Sequence, residues 1–189
     1  QACLDPERVA VLSQDSKTLD PAQVLTASNG LPPRLFSIDG SHTAEATYAD
    51  LKTAAGSLAA GGVVVVDDYF AEGWPGVSEG VQRFVAEQEA APPSSSSSSS
   101  VARLVPFFVG FNKVLFAEEE YASGYQDVIL ERKSVIGDDL MRQKMTLMLQ
   151  HPVLVFTEEV RCRKNVRSLL PGEQCPAGFS CGGGGAAPA

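Results

Sequence analysis

Two short apolar segments of this chain each end on acidic residues. One runs into Asp39, with His42 three residues later, and the other is a run of four valines that ends at Asp67 and Asp68. Carboxylates beside an imidazole are groups that bind a divalent cation or move a proton. These four side chains are therefore the candidate active-site residues. The alternative is a purely structural role, in which the carboxylates cap the helix or turn that follows each of them.

The segment between the two acidic ends has the pattern of a helix. Its apolar residues recur at helical spacing, at Ala46, Ala49, Leu51, Ala54 and Leu58. Gly61 and Gly62 can end the helix, because glycine adopts the left-handed conformation without steric cost. The valine run Val63–Val66 then predicts a strand buried on both faces, as in the centre of a parallel sheet. Such a strand–helix–strand unit brings both acidic ends to the carboxyl edge of the sheet, where open α/β sheets bind ligands.

Further elements are predicted on both sides of this unit. The expected strands are Arg8–Leu12, Arg34–Ile38, Leu104–Val109 and Lys113–Phe116, and the expected helices are Pro21–Ala27, Pro75–Glu89 and Asp138–Gln150. The short link around Asn112 favours an antiparallel hairpin, and Val153–Phe156 is either a strand or a packing segment. The alternation predicts an α/β fold with a doubly wound, mostly parallel sheet and an antiparallel closing hairpin.

Composition narrows the classes of function. The 189 residues suit one domain with a core. Fifteen basic against 23 acidic residues give a net charge of −8, which argues against nucleic acid or an anionic membrane as the main partner. No apolar run approaches the roughly 20 residues of a membrane span. The four cysteines, which lack the spacing of a zinc site, are Cys3, Cys162, Cys175 and Cys181. We expect them to be free thiols in a reducing, cytoplasmic compartment, and a disulfide in the tail is the alternative.

Several motifs, in this order and spacing, resemble the class I S-adenosylmethionine-dependent methyltransferases, and more narrowly the small-molecule O-methyltransferases of the macrocin type. The motifs are IDGSH (38–42), YADL (48–51), LAAGGVVVVDDY (58–69) and WPGV (74–77). The segment PFFVGFNKVLF (106–116) resembles the hairpin that closes the sheet in that family. By this resemblance, the strands at Arg8, Arg34 and Val63 are the family's third, fourth and fifth.

The resemblance implies methyl transfer from S-adenosylmethionine to an oxygen of a small-molecule acceptor, with assistance from Mg²⁺. It implies catalytic roles for His42 and Asp39, a metal site at Asp39, Asp67 and Asp68, cofactor contacts at Asp15 and Ser16, and acceptor contacts at Tyr69 and Trp74. The two aromatic residues have packing within a loop as their structural alternative. Asn112 and Lys113 are interpreted as turn and surface residues.

The glycine-rich cofactor loop of the family does not occur in this sequence, so we expect it upstream of Gln1 and predict an N-terminally truncated domain. The predicted organisation is a partial methyltransferase domain at 1–120 with a disordered serine-rich insert at 92–100, a partly helical extension at 121–170, and a disordered tail at 171–189.

Two other functions stay open at this stage. In the second interpretation, the chain is an inactive methyltransferase-like interaction module that self-associates through an exposed sheet edge. The third interpretation is a metal-dependent hydrolase that uses the same carboxylates to activate water.

Overall fold

A computed structural model describes residues 9–90, 103–132 and 141–158 of the chain. These ranges contain a 3₁₀ turn at Ser16–Thr18, four helices and six strands. The helices are α1 (Pro21–Ala27), α2 (Ala44–Ser57), α3 (Pro75–Ala90) and α4 (Glu119–Glu131). The strands are β1 (Leu35–Ile38), β2 (Val63–Val66), β3 (Leu104–Gly110), β4 (Lys113–Glu118), β5 (Met141–Met148) and β6 (His151–Glu158).

The strands form one sheet in the order β1-β2-β4-β3-β6-β5. Strands β1, β2, β3 and β6 run in one direction, and β4 and β5 run against them. Helices α2 and α3 pack on one face and α4 packs on the other. The predicted α/β fold, with a doubly wound and mostly parallel sheet, is therefore confirmed.

Strand β2 shows why the valine run forms a central strand. Val64 and Val66 are fully buried with α2 and α3, whereas Val63 packs in the second cluster with α4. Successive side chains of a strand point to opposite faces, so a strand covered on both sides needs apolar residues throughout. This burial fixes β2 beside β1 and so fixes where Asp67 leaves the sheet.

Helix α2 connects the two acidic strand ends. Thr43 caps it by accepting a hydrogen bond from the backbone of Ala46 at 3.3 Å. Asp39 therefore does not cap α2, as the alternative interpretation would require. After the helix, Gly61 has φ +66°, and its N–H donates to the Glu118 carboxylate at 3.0 Å. The prediction that these glycines end the helix is wrong, because α2 already ends at Ser57 and its C-cap is Leu58 in an extended conformation.

Residues 9–12 are not a strand, although a strand was predicted at Arg8–Leu12. Val11 is 82% exposed, and the segment has no strand pairing in the described chain. Within that part of the chain β1 pairs with β2 alone. A strand is held by hydrogen bonds to a neighbour, and nothing described here supplies one for residues 9–12. Arg8 itself lies outside the described residues.

The helix predicted at Asp138–Gln150 is wrong from residue 141 onward. Met141–Met148 is strand β5, and Leu149 and Gln150 have φ of 50° and 66° in a two-residue turn to β6. The methionine and leucine spacing that suggested a helix face belongs instead to a strand paired with β6. The β3–β4 hairpin forms as predicted but does not close the sheet, because β6 pairs with β3 and β5 follows it.

Several predictions fall outside the described residues. They concern the serine-rich insert at 92–100, residues 138–140, the tail at 171–189 and the four cysteines. The division of the chain near residue 120 stays a prediction, although β6 belongs to the same sheet as β1–β4. No helix of the described ranges is long and apolar enough to cross a membrane.

Helix α4 was not predicted. One buried polar side chain of this helix forms hydrogen bonds with the sheet. Gln126 is 8% exposed, and its amide donates to the carbonyl oxygens of Phe107 and Pro152 at 2.9 Å each. These bonds join α4 to β3 and β6 where β3 is irregular, between Pro106 and Phe108.

Replacing Gln126 with alanine is expected to lower the free energy of unfolding by about 2 kcal/mol, because the buried carbonyl group of Phe107 loses its donor and the partly buried hydrogen bond to Pro152 is also lost. Urea unfolding monitored by circular dichroism measures this change. Asp127→Ala, an exposed position on the same helix, is the control and should stay within about 0.5 kcal/mol of wild type. Equal losses in the two variants would contradict the role of Gln126.

Candidate functional site

The parallel pairing of β1 and β2 brings the two acidic ends together. Ile38 lies opposite Val66, and the backbone N–H of Asp67 donates to the Ile38 carbonyl oxygen at 3.0 Å. Asp39 and Asp67 therefore leave the sheet at the same edge. This is the placement that the strand–helix–strand pattern predicted.

Asp39, His42 and Asp68 form one group, called here the acidic–histidine cluster. His42 Nε2 lies 3.4 Å from Asp39 Oδ1 and 3.1 Å from Asp68 Oδ2. One nitrogen or oxygen from each residue lies within 4.8 Å of the others, a spacing that could hold a metal ion. The Asp39 side chain is 59% exposed, so the cluster opens to solvent. Its groups can bind a cation or move a proton.

The backbone around the cluster is unusual. His42 and Asp68 both have φ of 56°, a left-handed conformation that residues other than glycine adopt infrequently. Such conformations persist where the surrounding structure holds them, and they concentrate at functional sites. Among the non-glycine residues with this conformation in the described ranges are His42 and Asp68, whose side chains meet.

Trp74 lies directly on this site. Its ring stacks on that of His42, with a centroid distance of 4.8 Å and an interplanar angle of 23°, and the residue is 49% exposed. Tyr69 packs instead against the core and contacts Phe70 edge to face. Burial raises the pKa of Tyr69, opposed by a hydrogen bond with Gln82. The structure brings Trp74, but not Tyr69, into contact with the cluster.

Asp67 lies beside the acidic–histidine cluster, but its carboxylate bonds to groups outside the cluster's side chains. Its Oδ2 forms an ion pair with Lys113, and its Oδ1 accepts from the backbone N–H of Asp68 at 2.8 Å. The Lys113 ammonium lowers the pKa of Asp67, and the Asp68 N–H contributes in the same direction. The three predicted metal ligands are thus placed unequally, with Asp39 and Asp68 in the cluster and Asp67 outside it.

The predicted cofactor contacts lie in the 3₁₀ turn, which packs on α2. Asp15 accepts from the backbone N–H of Lys17 at 3.0 Å, and this bond lowers the pKa of Asp15. The side chain of Ser16 lies near enough to Asp50 to lower the pKa of that carboxyl group. Thr53 of α2 also donates to the Leu19 carbonyl oxygen at 2.8 Å.

Asp50 is a site residue that sequence reasoning did not select, although it belongs to the YADL motif. It is 9% exposed and lies close to Gly40, where an added Cβ would be 3.2 Å from Asp50 Oδ2. Asp50 also lines a shallow surface recess that it shares with Asp39 and His42. It therefore lies between the turn that carries Asp15 and Ser16 and the acidic–histidine cluster. The sequence pattern of α2 did not indicate this role, because an acidic residue at position 50 is expected on the exposed face of the helix.

Burial raises the pKa of Asp50, partly offset by the Ser16 hydrogen bond, while the charge of Asp15 adds to the rise. The folded protein therefore holds the Asp50 proton more tightly than the unfolded chain does. This contribution to stability is present at acidic pH and is lost as the pH rises through the raised pKa.

The Asp50→Asn variant lacks this titration. Its unfolding free energy, relative to wild type, is expected to increase as the pH rises above the ordinary pKa of an aspartate. Urea unfolding at several pH values measures the difference. The same substitution at exposed Asp127 serves as the control, and a difference for Asp50→Asn that stays flat or falls with pH would contradict the expectation.

A comparison with known protein families gives a match. Residues 4–69 match a family model described as a methyltransferase domain. The matched segment is about a third of the chain, and it contains Asp15, Ser16, Asp39, His42, Asp50, Asp67 and Asp68. No curated protein matches the chain significantly. The match supports a methyltransferase domain, and the described part of the matched segment contains the whole acidic–histidine cluster.

Proposed function

We propose that this protein, whose residues 4–69 match a methyltransferase domain, transfers a methyl group from S-adenosylmethionine to an oxygen of a small-molecule acceptor. One observation carries the proposal. His42 lies within 3.4 Å of two carboxylates, at the carboxyl edge of parallel strands and inside the matched segment. Ligands of open α/β sheets bind at that edge.

In the proposed reaction the acceptor oxygen attacks the methyl carbon, and the carbon–sulfur bond breaks. The electron pair of that bond stays on sulfur, so S-adenosylhomocysteine leaves as a neutral thioether. The hydroxyl proton of the acceptor passes to His42, the general base. A proton on Nε2 would be shared between Asp39 and Asp68, whose negative charges stabilise the imidazolium. The two carboxylates also fix the orientation of the ring.

Mg²⁺ is proposed to assist, and the donor set fits it. Asp39 and Asp68 offer hard oxygen ligands, which Mg²⁺ prefers, and the side chain of Asp39 is exposed to solvent. When bound, the ion supplies positive charge that favours the deprotonated acceptor oxygen. Asp39 and Asp68 would hold it. Asp67 is a further proposed ligand only if it leaves Lys113.

Asp15 and Ser16 are the proposed contacts for the methyl donor. The Asp15 side chain is 56% exposed, so it can accept hydrogen bonds from a bound molecule. Ser16 reaches Asp50, which lies near Gly40 at the end of β1. These contacts would hold the residues that bind the methyl donor next to the residues that bind the methyl acceptor. Positioning of the two reactants is the main contribution expected from the protein in such a transfer.

Trp74 is the proposed acceptor contact. Half of its surface is exposed while one face rests on His42, so an acceptor held at the cluster would meet the indole. Tyr69 is retained as a weaker proposal for the same role, because it packs against the core.

Isothermal titration of S-adenosylhomocysteine into the protein, with and without Mg²⁺, tests the proposal. We expect saturable binding with one product molecule per chain. Binding that responds to Mg²⁺ would support the metal-assisted form, and binding that does not would restrict the proposal to general-base catalysis. Absence of binding under both conditions would exclude methyl transfer by this chain.

An interaction module is the second candidate, and one observation favours it. The outer edge of β1 is unpaired within the described ranges, and Leu35 on that strand is 65% exposed. An open strand edge can pair with another chain. Light scattering over a range of concentrations tests self-association, and a monomer at every concentration would exclude it. No feature of the described residues favours hydrolysis over methyl transfer.

A further inference from the structure

The β3–β4 turn, formed by Phe111 and Asn112, lies beside the loop that follows β2. Gly110 pairs with Lys113 across the hairpin, and the two residues between them have φ of 55° and 62°. Two consecutive left-handed residues are typical of the tight type I′ hairpin turn. Because β4 is the neighbour of β2, the turn comes to the same sheet edge as Asp67 and Asp68.

Asn112 bonds the loop after β2 through three different groups. Its side-chain N–H donates to Asp68 Oδ1 at 2.7 Å, and its side-chain oxygen accepts from the backbone N–H of Phe70 at 3.1 Å. Its backbone carbonyl oxygen accepts from the N–H of Tyr69 at 3.2 Å. An amide is suited to this position, since it supplies both a donor and an acceptor.

The carboxylate oxygens of the adjacent residues Asp67 and Asp68 have different bonding partners. Both oxygens of Asp67 are used inside the protein, one by the Asp68 N–H and one by Lys113. Asp68 uses Oδ1 for Asn112, and its Oδ2 lies 3.1 Å from His42. Of the two neighbours, Asp68 is the one with an oxygen directed into the acidic–histidine cluster.

We infer that the β3–β4 turn is a positioning element that assigns different roles to Asp67 and Asp68. Asn112 holds Asp68 toward His42, and Lys113 keeps Asp67 in a structural ion pair outside the cation-binding group. The chemical part of this inference rests on the proposed function, whereas the positioning part does not. The inference also gives Asn112 and Lys113 positioning roles, whereas the sequence alone indicated only turn and surface residues.

Exchange of the Phe70 amide hydrogen tests the positioning part without any ligand. Asn112→Gly removes the side-chain amide but keeps a residue that tolerates φ of 62°. Asn29→Gly is the matched control, because Asn29 is also an asparagine in a turn, with φ of 56°. We expect Phe70 exchange to be at least about tenfold faster in Asn112→Gly alone. Equal exchange in both variants and wild type would overturn the inference.

Binding of Mn²⁺, followed by electron paramagnetic resonance, tests the division between the aspartates. Asn112→Gly is expected to weaken binding by about 10- to 100-fold, as loss of a group that orients a ligand does. Asp68→Asn is expected to weaken it at least tenfold more than Asp67→Asn. Equal losses for the two aspartates would overturn the division. If wild type binds no Mn²⁺, metal assistance in the proposed function fails, and so does the assigned cation role, while the Phe70 exchange still decides the positioning role.

Discussion

The His42→Gln variant is expected to retain no more than about one hundredth of the wild-type kcat/KM for methyl transfer, the smallest loss typical of removing a general base. Glutamine has a comparable reach and can still donate to Asp39 and Asp68, so the cluster keeps its hydrogen bonds. It cannot accept the acceptor proton at neutral pH. Release of S-adenosylhomocysteine, with the best acceptor from a panel of small hydroxylated compounds, gives the rate.

The chain provides its own control for this substitution. Its other histidine, His151, begins β6 and pairs with Glu89 of α3 at 3.6 Å. His151→Gln should keep kcat/KM within about threefold of wild type, as expected for a substitution away from the chemistry. The activity remaining in His42→Gln should also rise with pH, because a deprotonated acceptor needs no base. Similar losses in the two variants, or no rise with pH, would contradict the role of His42.

The sequence was sufficient to predict the centre of the sheet and the convergence of its two acidic ends. The signals there are local ones: a β-branched run and the helical spacing of small apolar residues. A parallel pair joined by one helix has few possible arrangements. The positions of Asp39 and Asp67 at one edge therefore follow from the pattern.

The features that were missed depend on contacts between distant parts of the chain. Asn112 and Lys113 meet Asp68 and Asp67 more than 40 residues away in sequence, so their own turn pattern gives no sign of that role. Strand β5 was mistaken for a helix because apolar residues recur at positions that suit either structure. Its conformation is set by its partner β6, which no local pattern specifies.

A large loss of stability is expected from Gly80→Ala, at the contact between α3 and α2. A Cβ at Gly80 would lie 2.7 Å from the Ala44 carbonyl oxygen and 2.8 Å from Thr47 Cβ. Neither atom is the end of a flexible side chain, so the first turn of α2 would have to move. Overpacking of this kind costs about 1–3 kcal/mol, and urea unfolding measures the loss.

A matched control separates this clash from the general effect of adding a methyl group to a helical glycine. Gly124 is also helical, in α4, but within the described residues no atom that could clash lies within 4 Å of the position that a Cβ would take there. Gly124→Ala is therefore expected to stabilise the protein by about 0.5–1 kcal/mol, because alanine loses less backbone freedom on folding. If both substitutions stabilise, the α2–α3 contact is looser than described.

The Gly80 clash also bears on the site, because the turn of α2 that must move begins directly after His42 and Thr43. Gly76, one helical turn before Gly80, lies against this same segment, and a Cβ there would be 2.7 Å from the His42 carbonyl oxygen. The left-handed conformation of His42 is thus enclosed by α3. Gly80→Ala should therefore weaken Mn²⁺ binding as well as stability, whereas Gly124→Ala should raise stability alone. Unchanged Mn²⁺ binding in a destabilised Gly80→Ala protein would show that the cluster does not depend on the packing of α3.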